Sequence, residues 1–236
     1  MDYLFGPNET LENGIYIGDA MKLSSYLPNN SVDLIFTDPP YPKKFLYLYE
    51  WLASEAPRLL KPNGFLCVYA GIYYKADIMR MFDKTMSYFW DIVAVNFQGA
   101  SPIIWPRKII SKYKSILVYH LKGNSPLPRT NVLSAFNGTK QDKRFHVWQQ
   151  DLSTARYYID CFSPKQPSLI LDPFCGGGTI PYVCKQLRYP YLSFEIDETS
   201  AIVARDRIKN AYQPVLFDNT ISDDFLLSMG VENNGH

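Results

Sequence analysis

The chain has 236 residues, of which 47% are hydrophobic and 20% charged, enough apolar side chain for a sizeable α/β core and too much for a disordered chain. It contains no run of eighteen apolar residues and no basic-then-apolar N-terminus, which argues against a membrane span and a secretory signal. Net charge is +1 and the four cysteines (Cys67, Cys161, Cys175 and Cys184) form no Cys-x-x-Cys pair, so a reduced, metal-free, cytoplasmic protein is expected.

Ile15-Tyr16-Ile17 predicts a first strand, closed by Gly18-Asp19, and Met21 to Leu27 a short helix. Val32 to Thr37 is an apolar, β-branched run suited to a strand buried on both faces. It stops at Asp38-Pro39-Pro40-Tyr41, where two prolines cannot continue a central ladder. Phe45 to Leu60 has helical periodicity, ended by a turn at Lys61-Pro62-Asn63-Gly64. Phe65 to Ala70 predicts a strand and Tyr74 to Thr85 a helix, with Tyr73-Tyr74 and Tyr88-Phe89-Trp90 expected in the core or at helix edges. Strands over Trp90 to Phe97 and Ser115 to His120 flank a basic connection, Ser101 to Lys114.

Lys122 to Phe145 lacks periodicity and predicts a loop. Leu152, Ala155, Tyr158, Ile159 and Phe162 recur at helical spacing. Ser168 to Leu171 then predicts a strand, Ile180 to Leu187 a helix, Tyr191 to Phe194 a strand and Glu198 to Ala211 a helix. Residues 212–236 hold acids and no Lys or Arg, an acidic tail with an apolar patch at Phe225-Leu226-Leu227. Strands alternating with helices imply a doubly wound, mainly parallel sheet in one domain spanning 1–236. Residues 97–146 are expected as an insertion. That stretch carries nine Lys/Arg against the single acid Asp142, a local excess able to meet phosphates in a chain that is neutral overall.

Two constellations fall at the ends of predicted strands, where open α/β sheets bind ligands. Gly176-Gly177-Gly178 strips side chains from a strand-to-helix turn, so a ligand can approach backbone N–H groups. Glu195 follows Gly176 by nineteen residues, the offset at which a dinucleotide fold holds the hydroxyls of an adenosine ribose. No Gly-Lys-Ser/Thr follows, which rejects a P-loop, and Pro181 stands where G-x-G-x-x-G needs its third glycine. The second constellation is Asp38-Pro39-Pro40-Tyr41. A carboxylate and a rigidly held carbonyl can accept both hydrogens of an exocyclic amine, turn its lone pair toward an electrophilic methyl and stabilise the developing charge. A neighbouring tyrosine can stack on an extruded base.

With these residues the chain resembles the amino-methylating DNA methyltransferases that use S-adenosylmethionine. Asp38-Pro39-Pro40-Tyr41 is similar to their catalytic motif. Leu171-Asp172-Pro173-Phe174-Cys175-Gly176-Gly177-Gly178-Thr179 is similar to their cofactor motif. The catalytic motif comes first, the permuted β-type order. The resemblance implies a Rossmann-like methyltransferase sheet with a small target-recognition insertion at 97–146. It implies that Asp38 and the Pro39 carbonyl bind the target amine, beside Pro40, with Tyr41 on the flipped base. It implies that Asp172, Pro173, Phe174, Gly176, Gly178 and Thr179 line the methionine part of the cofactor, that Glu195 takes the ribose and that Asp19 reaches the adenine amine.

Similar enzymes often carry His-x-x-Gln-Lys-Pro ahead of the cofactor strand. Here His146-Val147-Trp148-Gln149-Gln150-Asp151 puts Gln150 in the lysine's place, an amide able to hydrogen-bond the cofactor carboxylate but without charge. Arg107, Lys108, Lys112, Arg129, Lys140, Lys143 and Arg144 are the expected DNA-binding residues. Trp105, Tyr113, Phe136 and Trp148 could stack on bases, although packing is the commoner use of such side chains. Asp at the first motif position favours adenine N6. Cytosine N4 is the nearest alternative, and a non-catalytic DNA-binding subunit is the rival of a different class. An RNA substrate and protein glutamine methylation are disfavoured. A homodimer or partner subunit, and a restriction partner, enter as expectations from similar enzymes.

Overall fold

The structure is a computed structural model that describes residues 13–95, 103–104, 107–137, 152–164 and 167–211. Its centre is β2 (Val32–Thr37), the VDLIFT run, buried at all six positions. An apolar strand of this kind can only sit where both faces are covered. The other strands of its sheet are β1 (Gly14–Ile17), β3 (Leu60–Ala70), β4 (Met86–Val95), β7 (Tyr113–Leu121), β8 (Ala135–Asn137), β9 (Ile170–Asp172) and β10 (Tyr191–Glu195). Their order is β1-β10-β9-β2-β3-β7-β4-β8. The five strands from β1 to β3 are mutually parallel, whereas β7 is antiparallel to both β3 and β4. Two short strands, β5 (Ile103–Ile104) and β6 (Ile109–Ile110), pair as a separate hairpin.

Helices cover both faces. One apolar cluster packs α1 (Ala20–Ser24), α2 (Leu46–Leu59) and α3 (Lys75–Phe82) on the sheet through Leu23, Leu52, Ala56, Ile78 and Phe82. The other packs α4 (Leu152–Phe162), α5 (Thr179–Leu187) and α6 (Glu198–Lys209) through Tyr158, Val183, Cys184 and Ala204. Leu34 and Phe36 of β2 belong to the second cluster and Ile35 to the first, the alternation that a pleated strand imposes. This is the doubly wound, mainly parallel Rossmann-like sheet that the sequence implies.

The structure corrects several local expectations. Lys61-Pro62-Asn63-Gly64 is not a turn ahead of a strand. It is a bulge inside β3, because Val32 pairs with Leu60 and Leu34 with Phe65. Gly64 is required there, since a Cβ would lie 2.9 Å from the Asp33 carbonyl oxygen. Tyr88-Phe89-Trp90 lies within β4, where only Phe89 packs against the core; Tyr88 is 42% and Trp90 55% exposed. Residues 97–146 are not one continuous insertion, because β7, in the middle of that range, is a central strand with Ile116 to Tyr119 fully buried. The 122–145 loop contains β8, pinned by Phe136, whose ring is buried and stacked on Tyr157 at 4.9 Å. That aromatic is spent on packing and is not available to a base. Trp105, Lys140, Lys143, Arg144, His146, Trp148, Gln150 and the 212–236 tail lie outside the described residues.

Candidate active site

Four adjacent parallel strands, β1, β10, β9 and β2, deliver the expected site residues from the same end of the sheet. Asp19 follows β1, Asp38 follows β2, Asp172 closes β9 and Glu195 closes β10. Residues 19 to 176 positions apart in sequence thus meet because parallel strands all end at one edge.

The glycine turn is held from below and bare above. Gly178 has φ +74 and caps α5. A Cβ there would sit 2.8 Å from the Ala204 Cβ on α6, so close helix packing demands glycine as much as the left-handed backbone does. Arg207 Nη1 donates to the Gly177 carbonyl at 2.8 Å. Gly176, at φ +48, has nothing within 4 Å of a would-be Cβ. Glu195 accepts from the Gly176 N–H through Oε2 at 2.7 Å and from the Asp197 N–H through Oε1 at 2.9 Å. The Gly18 N–H donates to the Glu195 carbonyl at 2.8 Å. Asp19, exposed, caps α1 by accepting from the Met21 N–H at 2.9 Å.

Asp172 is the buried member of the group. It accepts from Thr37 Oγ1 at 2.7 Å and from the Phe174 N–H at 3.2 Å. Burial nevertheless pushes its carboxyl up to about 7, with the charges of Asp38 and Glu195 adding to the rise. Pro173 is buried behind it, and the Phe174 ring meets Trp51 of α2 edge-on at 5.9 Å. Thr179 is buried at the first position of α5.

The Asp38-Pro39-Pro40-Tyr41 turn is pinned by a residue that sequence reasoning missed. Tyr49, fully buried on α2, directs its hydroxyl to the Tyr69 carbonyl at 3.1 Å and the Pro39 carbonyl at 3.3 Å. Its place in the first turn of a helix gave no motif signal. The Tyr41 ring packs against Gly71, where a Cβ would lie 3.1 Å from the Tyr41 Cβ. Burial first and the Asp38 charge second hold the Tyr41 hydroxyl well above the usual tyrosine range, so it stays protonated.

The expected DNA-binding residues are not all alike. Lys108 and Lys112 are exposed, and the exposed Arg107 guanidinium lies over the Tyr73 ring at 5.3 Å. Arg129 is ion-paired with Asp160 of α4, and its backbone N–H donates to the Cys161 carbonyl at 2.8 Å. It is exposed, yet its charge is already engaged by a partner within the fold.

A glycine turn and a ribose-spaced acid at one edge of a doubly wound sheet, beside an Asp-Pro-Pro-Tyr turn, define a Rossmann-like methyltransferase. The DNA methylase family with N6 and N4 amino specificity matches residues 32–205, and the chain belongs to that family. It is similar to the type II methyltransferase M.HpaI of Haemophilus parainfluenzae, 24% identical over 86% of this chain and 76% of the relative. Solved structures with the same fold include the M1.HpyAVI–SAM complex, with TM-score 0.67 and 23% identity over 83% of this chain and 98% of that one. They also include the cytosine-N4-specific PvuII DNA methyltransferase, with TM-score 0.69 and 20% identity over 93% of this chain and 92% of that one.

The methyl donor of the family is S-adenosylmethionine, and the residues present fit it. The open space above Gly176 leaves room for a ligand against the backbone, and the Asp172 and Glu195 carboxyls border the same turn, a donor set suited to a ligand with cationic and hydroxyl-bearing parts. Among the described residues no helix is long and apolar enough to cross a membrane.

Proposed function

We propose that the protein transfers a methyl group to the exocyclic N6 of adenine in DNA, with the target base swung out of the duplex. The supporting observation is the contact between the two motifs. Thr37, the residue before Asp38, hydrogen-bonds Asp172 of the glycine turn at 2.7 Å, so an amine at Asp38 and a cofactor on the turn would be neighbours.

In this reading S-adenosylmethionine, when bound, supplies an electrophilic methyl on a sulfonium. Asp172, Pro173, Phe174, Gly176, Gly178 and Thr179 hold its methionine part, Glu195 its ribose hydroxyls and Asp19 its adenine amine. Ile196, 72% exposed beside Glu195, offers the adenine ring an apolar face. The Asp38 carboxylate and the Pro39 carbonyl accept the two N–H groups of the target, leaving its lone pair free to attack. Tyr49 keeps that carbonyl in place. A carbonyl oxygen has two lone pairs, so it can accept from Tyr49 and from the amine together. Tyr41 stacks on the base. After transfer the amine carries the excess proton and loses it to Asp38 or to water, so no strong base is needed.

Adenine is preferred over cytosine on the aspartate that opens the catalytic motif, since the fold serves both specificities. Lys108 and Lys112 are proposed to meet phosphates, with Lys140, Lys143 and Arg144, and Gln150 to hydrogen-bond the cofactor carboxylate. The test is transfer of a labelled methyl group to unmethylated DNA by wild type and by Asp38→Ala, with cofactor binding followed by calorimetry. The expected result is loss of transfer with binding intact. Undiminished transfer by the variant would overturn the assignment.

A further inference from the structure

Lys114 belongs by sequence to the basic stretch 97–146, yet it turns inward. β7 is antiparallel to β3 with Ser115 opposite Ala70, so the lysine one residue earlier, still paired with Ala94 of β4, runs past the end of β3 beside the loops that follow β2 and β3. Its Nζ lies 3.8 Å from Asp38 Oδ2 and 5.6 and 5.7 Å from the ring centroids of Tyr41 and Tyr69. The separation from Asp38 is too long for a hydrogen bond, so the contact is one of charge with charge. A carboxylate flanked by two aromatic rings is a favourable setting for a nitrogen cation. It is also the setting assigned above to the target amine.

Resting on that reading of Asp38, we propose that Lys114 is a positioning residue whose ammonium stands beside Asp38 in the DNA-free enzyme, keeps the carboxylate ionised, and gives way when the target amine arrives. Among the described residues, the other titratable groups around Asp38 cannot supply this charge. They are Tyr41 on its own turn, Tyr49 from α2 and Asp172 from β9, with Tyr69 from β3 lying against the same lysine. The tyrosines are neutral, and Asp172 when ionised repels a second negative charge. Without Lys114 the proton affinity of Asp38 rises. The lysine can also leave. Its side chain is 33% exposed, and an ammonium on a flexible four-carbon stem can swing to solvent or to a phosphate.

The test compares pH profiles of kcat and of kcat/KM for DNA, at saturating S-adenosylmethionine, in wild type, Lys114→Met and Lys114→Arg. Cofactor affinity is measured separately by calorimetry. The acid limb of kcat/KM is expected to move up by about one pH unit in Lys114→Met and to return in Lys114→Arg, while cofactor affinity is unchanged within about two-fold. A rate lowered equally at every pH, or a profile identical to wild type, would overturn the proposal, because a lysine that only props the fold moves no titration. If Lys114→Met fails to fold, the neutral Lys114→Gln carries the same comparison. Asp38→Ala separates the two levels: if it is inactive while the acid limb stays put in the lysine variants, only the role of Lys114 falls. If Asp38→Ala is fully active, the catalytic reading falls with it.

Discussion

Thr37 Oγ1 donates a 2.7 Å hydrogen bond to Asp172 Oδ1, joining catalytic and cofactor turns that lie 135 residues apart. The bond favours an ionised Asp172, as does the Phe174 N–H, but burial outweighs both and raises the carboxyl from 3.8 to about 7. A carboxyl that binds its proton more tightly in the folded state costs nothing below about pH 4, where both states are protonated. Its cost grows as pH rises toward 7 and levels off above that. Cofactor-free wild type should therefore lose stability relative to Asp172→Asn between pH 4 and 8, by on the order of 4 kcal/mol. Urea denaturation of both proteins at several pH values checks this, and a constant difference would contradict it.

Glu195 orders the glycine turn before any ligand arrives, through its bonds to the Gly176 and Asp197 N–H groups. Glu195→Ala removes two charge-assisted acceptors and the proposed ribose contact. Cofactor affinity should fall by roughly 10–100-fold, while kcat at saturating cofactor changes by only a few-fold. Calorimetry with steady-state kinetics separates the two effects.

Tyr49→Phe deletes the hydroxyl shared by the Pro39 and Tyr69 carbonyls and little else. A loss of stability of about 1 kcal/mol is expected, together with a drop in kcat of roughly ten-fold as the turn loosens. The cofactor Kd should not move.

The basic residues should separate into two kinds. Neutralising Lys140, Lys143 and Arg144 together should weaken DNA binding and reduce the salt slope of log K by about 0.9 per lost phosphate contact. Arg129→Gln should instead lower thermal stability, because Arg129 is paired with Asp160, and leave the salt slope unchanged. Titrations at three salt concentrations decide.

What could be read in the sequence was local. VDLIFT declared itself because a strand buried on both faces must be apolar throughout, and the two motifs because their chemistry requires particular residue types at short spacing. The bulge at Lys61 to Gly64 was hidden because Pro, Asn and Gly signal a turn whether the chain leaves a sheet or merely bows within it. Tyr88 and Trp90 were misplaced because aromatic content suggests burial, whereas they alternate outward along β4 around the partly buried Phe89. Lys114 and Tyr49 could not be found, since their approach to Asp38 and Pro39 depends on which strand lies beside β3 and how α2 returns over the sheet. Long-range pairing of that kind leaves no mark in local periodicity.

The central claim is tested most directly by incubating the purified protein with S-adenosylmethionine and unmethylated genomic DNA, digesting to nucleosides and measuring products by mass spectrometry. The account predicts new N6-methyladenine in wild type and none in Asp38→Ala. New N4-methylcytosine would contradict the choice of base, and no methylated nucleoside from a protein that binds the cofactor would contradict the activity itself.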